Sequence, residues 1–119
     1  MSSSLYDRLG GMDAINQIAC DIVDLHVANP LIGKRFVNAD ADALKRSVAA
    51  FLSSGSGGPD IYTGADMHTV HARMNIEADE LLAVLDNVVA ALKRNQIALP
   101  EIREVLFILY GMKEEVLRI

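Results

Sequence analysis

Residues 62–76 read Y-T-G-A-D-M-H-T-V-H-A-R-M-N-I and hold two of the chain's three histidines, His68 and His71. A spacing of three places both imidazoles on one face of a helix. Asp66 is positioned to cap such a helix, which the pattern predicts over residues 67–74. That helix is about two turns long and follows a loop, residues 55–66, that is long for a connection between bundle helices. So short a helix does not persist in water unless it docks on something. A bond to a ligand is one such anchor.

A closed two-histidine metal site needs further His, Cys or carboxylate ligands. The stretch has no H-E-x-x-H motif, the lone cysteine is distant in sequence, and capping already explains Asp66. A single axial ligand to haem iron asks for less. It needs one neutral imidazole projecting from a docked helix into an apolar slot, oriented by a partner on its other ring nitrogen. His71 has Met67, Val70 and Met74 around it, whereas His68 falls one turn nearer the N-terminus, at a rim position. One ligand and one rim residue is the arrangement this spacing most naturally gives. For His68, a solvated surface imidazole is the plain alternative.

The rest of the chain predicts an all-α domain. Its 119 residues suit a single domain over residues 1–119. Half the residues are apolar, mean hydropathy is +0.24, and there is no Trp. The first helix is expected over residues 4–9, stopped by Gly10-Gly11. The second spans residues 12–28, with Ile15, Ile18, Ala19 and Ile22 at helical spacing. Asn29-Pro30 ends it, because a residue before proline is pushed out of the α region, and residues 30–36 form a tight corner or a single helical turn. Asp40 caps a third helix over residues 41–54, with Leu44, Val48, Phe51 and Leu52 inward. G-S-G-G-P-D is a loop over residues 55–60. A helix over residues 77–94 carries Leu81, Val84, Leu85, Val88 and Leu92 on one stripe. Pro100 opens the last helix, which repeats Ile102, Val105, Leu106, Leu109, Met112 and Val116.

Several function classes fall away on bulk properties. The net charge of −5 argues against binding nucleic acid through phosphate attraction. No run approaches the roughly 18 apolar residues of a membrane span, and the first residues lack a signal peptide's basic-then-apolar form. One cysteine, Cys20, suits a reducing cytoplasm and is expected as a buried, inert thiol on the second helix.

Four segments carry a family resemblance. They are S-L-Y-D-R-L-G-G at residues 4–11, A-N-P-L-I-G-K-R-F at 28–36, A-F-L-S-S-G-S-G-G-P at 50–59, and the opening stretch. In this order, over nearly all of residues 4–117, the chain resembles a truncated haemoglobin of group I. The resemblance implies a 2-on-2 helical sandwich around a b-type haem, with His71 as the proximal iron ligand. It further implies Phe36 packed on the haem at the corner, Met67 and Val70 beneath the ring, and Val84 on the following helix. His68 matches a position that can reach a haem propionate, which would favour its charged form. The glycine pairs Gly10-Gly11 and Gly57-Gly58 match those that permit the family's abbreviated helices and tight turns.

The departures lie on the distal side. Where the family usually carries a ligand-bonding tyrosine, this chain has Val23. Leu44 and Val48 stand where relatives often supply Gln. Ser47 stands where some relatives supply a sixth-ligand histidine, and Met112 lies near where those relatives carry a histidine that bonds covalently to the haem. His26, one turn after Val23, admits two readings. It is either satisfied by a backbone carbonyl or facing the surface, or it is a relocated distal donor or even a sixth ligand.

Three functions follow. The first is reversible binding of O2, with CO and NO as further ligands, for transport, storage or sensing. The second is oxidation of NO to nitrate, which needs an external reductase. The third is a haem-free helical interaction domain. The absence of any electron-donor segment favours gas binding.

Overall fold

In the computed structural model, which describes residues 3–62, 74–115 and 117, helices account for the regular structure. Helix α1 (Leu5–Leu9) is capped by the Ser4 hydroxyl, which accepts from the Asp7 amide at 3.1 Å. It ends at Gly10, whose φ of +110° is left-handed, and the same residue opens α2 (Gly11–Ala28). A side chain at position 10 would be strained by that dihedral and would also press to 2.8 Å from Ala14 Cβ. Two helices can therefore abut with no linker.

Helix α2 is the central element. Ile15, Ile18, Ala19, Ile22 and Val23 are buried along it, as the apolar spacing predicts. Asn29 terminates it in extended conformation, and its Oδ1 accepts from the amides of Leu31 at 2.8 Å and Ile32 at 3.2 Å. That Asx-type turn leads into a single 3-10 turn at Gly33–Phe36, which forms the predicted corner.

Helix α3 (Ala41–Gly55) begins at Asp40, whose carboxylate accepts from the Ala43 amide at 3.2 Å, as expected of its cap. Of its expected inner face, Val48 and Leu52 pack against the core. Ala49 and Ser53 are the buried residues, while Leu44, Val48, Phe51 and Leu52 are half-buried.

The loop after α3 folds back on α1. Ser53 Oγ donates to the Pro59 carbonyl at 2.8 Å, and the Tyr6 amide donates to the Ser56 carbonyl at 2.8 Å. Gly58 lies against the Tyr6 ring so closely that a Cβ there would sit 2.1 Å from a ring carbon. Tyr62 then packs edge-on against Phe51, with ring centroids 5.7 Å apart.

Chain beyond the predicted short helix resumes at a bend on Met74, followed by Ile76, which is buried and pairs with Leu117 in an isolated parallel bridge. Helix α4 (Ala78–Arg94) opens with a reciprocal capping box between Glu77 and Glu80. Val88, Ala91 and Leu92 are its buried apolar residues, and Leu81, Val84 and Leu85 are half-buried. At its end Asn95 Nδ2 donates to the Asp21 carboxylate at 2.8 Å, tying α4 to α2.

Helix α5 (Leu99–Tyr110) has Pro100 in its first turn and buries Ile102 and Val105. It stops earlier than the apolar repeat predicts. Gly111 follows it, a poor helix former, and Met112 falls in a turn before a 3-10 segment at Lys113–Glu115. Val116, the last residue of that repeat, lies outside the described residues.

Helix α2 packs on both α3 and α4, while α1 and α4 each contact α5. One core joins Leu5, Ile18, Ala49, Leu92 and Val105 from the five helices of the described residues. Cys20 departs from its expected burial. It is half-buried, with its Sγ 4.0 Å from the Asp24 carboxylate, beside an ion pair between Asp24 and Lys45.

Candidate functional site

The corner turn carries Phe36, and a three-residue polar and aromatic arrangement fixes it from behind. His26 lies on the inner side of α2 and is only 8% exposed. Its ring stacks on Phe36, with centroids 5.8 Å apart and planes 21° from parallel, within the range of favourable offset stacking. Its Nδ1 is 2.9 Å from Asn87 Nδ2 on α4. An amide nitrogen can only donate, so Nδ1 accepts and the ring proton resides on Nε2. Burial supports the same neutral form, pushing the imidazole down to about 4. His26 is thus off the surface, and its partner is a side chain rather than the backbone carbonyl considered from sequence.

Stability should carry the mark of this neutral ring. An imidazole titrating near 6.5 when unfolded and near 4 when folded makes the unfolded state the better proton binder between those values. Its contribution is therefore complete above about 6.5 and declines as pH falls toward 4. Urea unfolding at about pH 7.5 and about pH 4.5 should differ through this group by on the order of 2–3 kcal/mol. His26→Leu should flatten that part of the profile, and an unchanged slope would show that another group sets it.

A second polar contact holds the corner from the other end of the same helix. Arg35 forms a two-pronged ion pair with Glu80, whose Oε1 accepts from Nη2 at 3.0 Å. The Arg35 guanidinium holds the Glu80 carboxyl below its ordinary range. Removing Arg35 would take away the guanidinium that pairs with and covers this carboxylate.

The remaining described candidates are apolar. Val23 is fully buried, at 0% exposed. Leu44 and Val48 stand one turn apart on α3, half-buried, and Val84 is half-buried on α4. Val48 and Val84 pack against the main core. Ser47 is exposed and Met112 half-buried. The structure brings His26, Phe36 and Asn87 together and sets the two α3 residues and Val84 on helices that both pack on α2. Met67, His68, Val70 and His71 lie outside the described residues. The chain enters their segment at Tyr62, whose amide is 3.3 Å from Ser54 Oγ, and leaves it at buried Ile76.

The chemistry of this set fits a flat apolar prosthetic group. Large apolar side chains from the corner, α3 and α4 are left partly uncovered by protein, and the one imidazole among them is neutral. Among the described residues no group of three or more His, Cys, Asp or Glu could hold a bare metal ion.

Asn87 and Glu80 are the site residues that sequence reasoning misses. The available signal is that each interrupts an apolar stripe on α4, within four residues of Val84.

Comparisons with known proteins agree with this geometry. A family model described as bacterial-like globin matches residues 4–117. The group 1 truncated hemoglobin of Tetrahymena pyriformis is 29% identical over 90 residues, covering 76% of this chain and 74% of that one. The group 1 truncated hemoglobin GlbN of Nostoc commune is 29% identical over 82 residues, covering 69% and 70%. The crystal structure of the Tetrahymena pyriformis truncated hemoglobin in its Fe(III) form superposes with a TM-score of 0.94 at 25% identity, over 98% of this chain and 100% of that one. The 2/2 hemoglobin of Synechococcus sp. PCC 7002, in the cyanomet state with covalently attached heme, shares the fold at a TM-score of 0.86 and 24% identity, over 95% of each chain.

Proposed function

Because this chain belongs to the bacterial-like globin family and has the 2/2 helical sandwich of the truncated haemoglobins, we propose that it is a b-type haem protein that binds O2 reversibly. CO and NO are its competing ligands. The haem supplies an iron with one coordination position for a diatomic gas. By the resemblance, His71 would hold that iron, and Met67, Val70, Val84 and Phe36 would be the apolar contacts of the haem. His68 reaches a propionate at the rim.

The chain's own contribution is the distal wall. Val23, Leu44 and Val48 offer no hydrogen to a bound gas, and His26 follows Val23 by one turn on α2. The match to the bacterial-like globin family over residues 4–117 carries this proposal, and its distal part rests on a valine, Val23, at the position where the resemblance leads one to expect a phenolic donor. A pocket without that donor releases O2 quickly and discriminates weakly against uncharged CO and NO.

Turnover of NO to nitrate would need a reductase partner, and this chain brings no donor of its own in the sequence given. Among the described residues no helix is long and apolar enough to cross a membrane. A cytoplasmic setting suits the single thiol. Reversible oxygenation of the haem-loaded ferrous chain tests the assignment. Sustained NO consumption under reducing conditions would instead assign catalysis.

A further inference from the structure

Glu80, Val84 and Asn87 recur at four and three residues along α4, so they share one face of it. The outer two both hold the corner. Glu80 takes Arg35 directly, and Asn87 takes His26, which stacks on Phe36. Val84, between them, is the α4 residue assigned to the haem. The corner itself is a single 3-10 turn of four residues, with poorer hydrogen-bond geometry than an α-helix. The residues after it, Val37 to Ala39, are exposed. Little in its own backbone fixes the plane of the Phe36 ring.

We propose that His26 and Asn87 are a positioning pair that sets the ring plane of Phe36 against α4, and thereby the seating of the haem between Phe36 and Val84. The role rests on the haem-binding assignment above and goes beyond it, since neither residue needs to touch the gas or the iron. An imidazole that accepts at Nδ1 carries its proton on Nε2 and has no lone pair there to give to iron. That chemistry separates a positioning role from the sixth-ligand alternative. The amide of Asn87 does two things at once. It satisfies a buried ring nitrogen that would otherwise cost the full desolvation of the group, and it selects the tautomer. The imidazole then presents a flat neutral face to Phe36 in an orientation that a rotating aliphatic side chain would not impose.

The test uses the haem-loaded chain, with release of haem to an excess of acceptor protein as its main readout. His26→Leu and Asn87→Leu should each speed haem loss by about fivefold to tenfold, the worth of one buried hydrogen bond. The double variant should lose less than the product of the two, because the residues act as one unit. The Soret circular dichroism, which reports coupling between the haem and nearby aromatic rings, should change in both. His26→Phe keeps a ring on Phe36 and should recover part of the wild-type signal.

A merely structural pair would lower the urea midpoint while leaving haem loss within twofold of wild type, and that result overturns the proposal. So does a change of ferric coordination in His26→Leu, which would make His26 an iron ligand. A wild-type chain that takes up no haem contradicts the haem-binding assignment itself, whereas uptake with unaffected variants contradicts the positioning pair alone. Should the leucine variants fail to fold, the imidazole nitrogen resonances of the wild-type chain decide. A neutral ring with one nitrogen hydrogen-bonded to the Asn87 amide is expected, and an imidazole with no coupling to that amide overturns the pair.

Discussion

His71→Ala should leave a chain that folds but holds no stable haem. The expected effect is the largest in the molecule, because on the proposed assignment the substitution removes the protein's ligand to the iron. Losing even an outer partner of a metal ligand costs about 10–100-fold in affinity, so losing the ligand should cost at least about a hundredfold. The chain has three histidines. His26 is engaged by Asn87 and Phe36 on α2, and His68 is assigned to the rim, so neither is poised to substitute. The check is a haemin titration followed at the Soret band, with transfer of haem to an acceptor protein as a second readout. Added imidazole should restore part of the absorbance by filling the vacated coordination position. Retention of haem at wild-type affinity would refute the assignment of His71 as ligand.

Val23→Tyr should slow O2 dissociation by roughly tenfold, since a hydrogen bond of about 1 kcal/mol or somewhat more corresponds to about that factor. CO, a weaker acceptor of such a bond, should respond less, and the ratio of the two effects distinguishes a polar contact from a steric one. Val23 is fully buried, and the larger side chain brings two costs. Overpacking lowers stability by about 1–3 kcal/mol, and the phenol must find an acceptor or be left desolvated. The urea midpoint should therefore fall while O2 residence lengthens. Stopped-flow replacement of O2 by CO measures the rate in both proteins. No slowing in the variant would mean that the gas does not sit against α2 at this position.

Much of the fold is legible from local rules because local physics sets it. Asp40 is a cap, Asn29-Pro30 a stop, and the Ile15–Ile18–Ile22 spacing a buried stripe in both sequence and structure. Where the outcome depends on how closely two helices approach, the pattern is incomplete. Leu44, Val48 and Phe51 read as inward-facing and are half-buried, with Val48 against the core, while the fully buried positions of α3 are Ala49 and Ser53. The end of α5 is similar, since the apolar repeat runs on through Met112 while Gly111 breaks it and Leu117 pairs with Ile76.

The candidate site divides along the same line. Replacement of the expected tyrosine by Val23 is visible in the sequence itself. The partner of His26 is not, because Asn87 lies 61 residues away and only the packing of α2 on α4 brings it within 2.9 Å. The Arg35–Glu80 pair, 45 residues apart, is hidden for the same reason. Residues 67–71 remain assigned through the family resemblance, with Tyr62 and Ile76 as the fixed points on either side.

Whether this chain holds one haem and binds O2 reversibly is decided by its visible absorption spectrum. Apoprotein titrated with haemin, reduced anaerobically, exposed to O2 and then returned to vacuum should show a Soret band saturating at one haem per chain. That band should shift on oxygenation and return to the ferrous position on removal of the gas. No Soret band after haem addition, or a ferrous form that passes to ferric without a reversible oxygenated spectrum, would contradict reversible O2 binding by a haem.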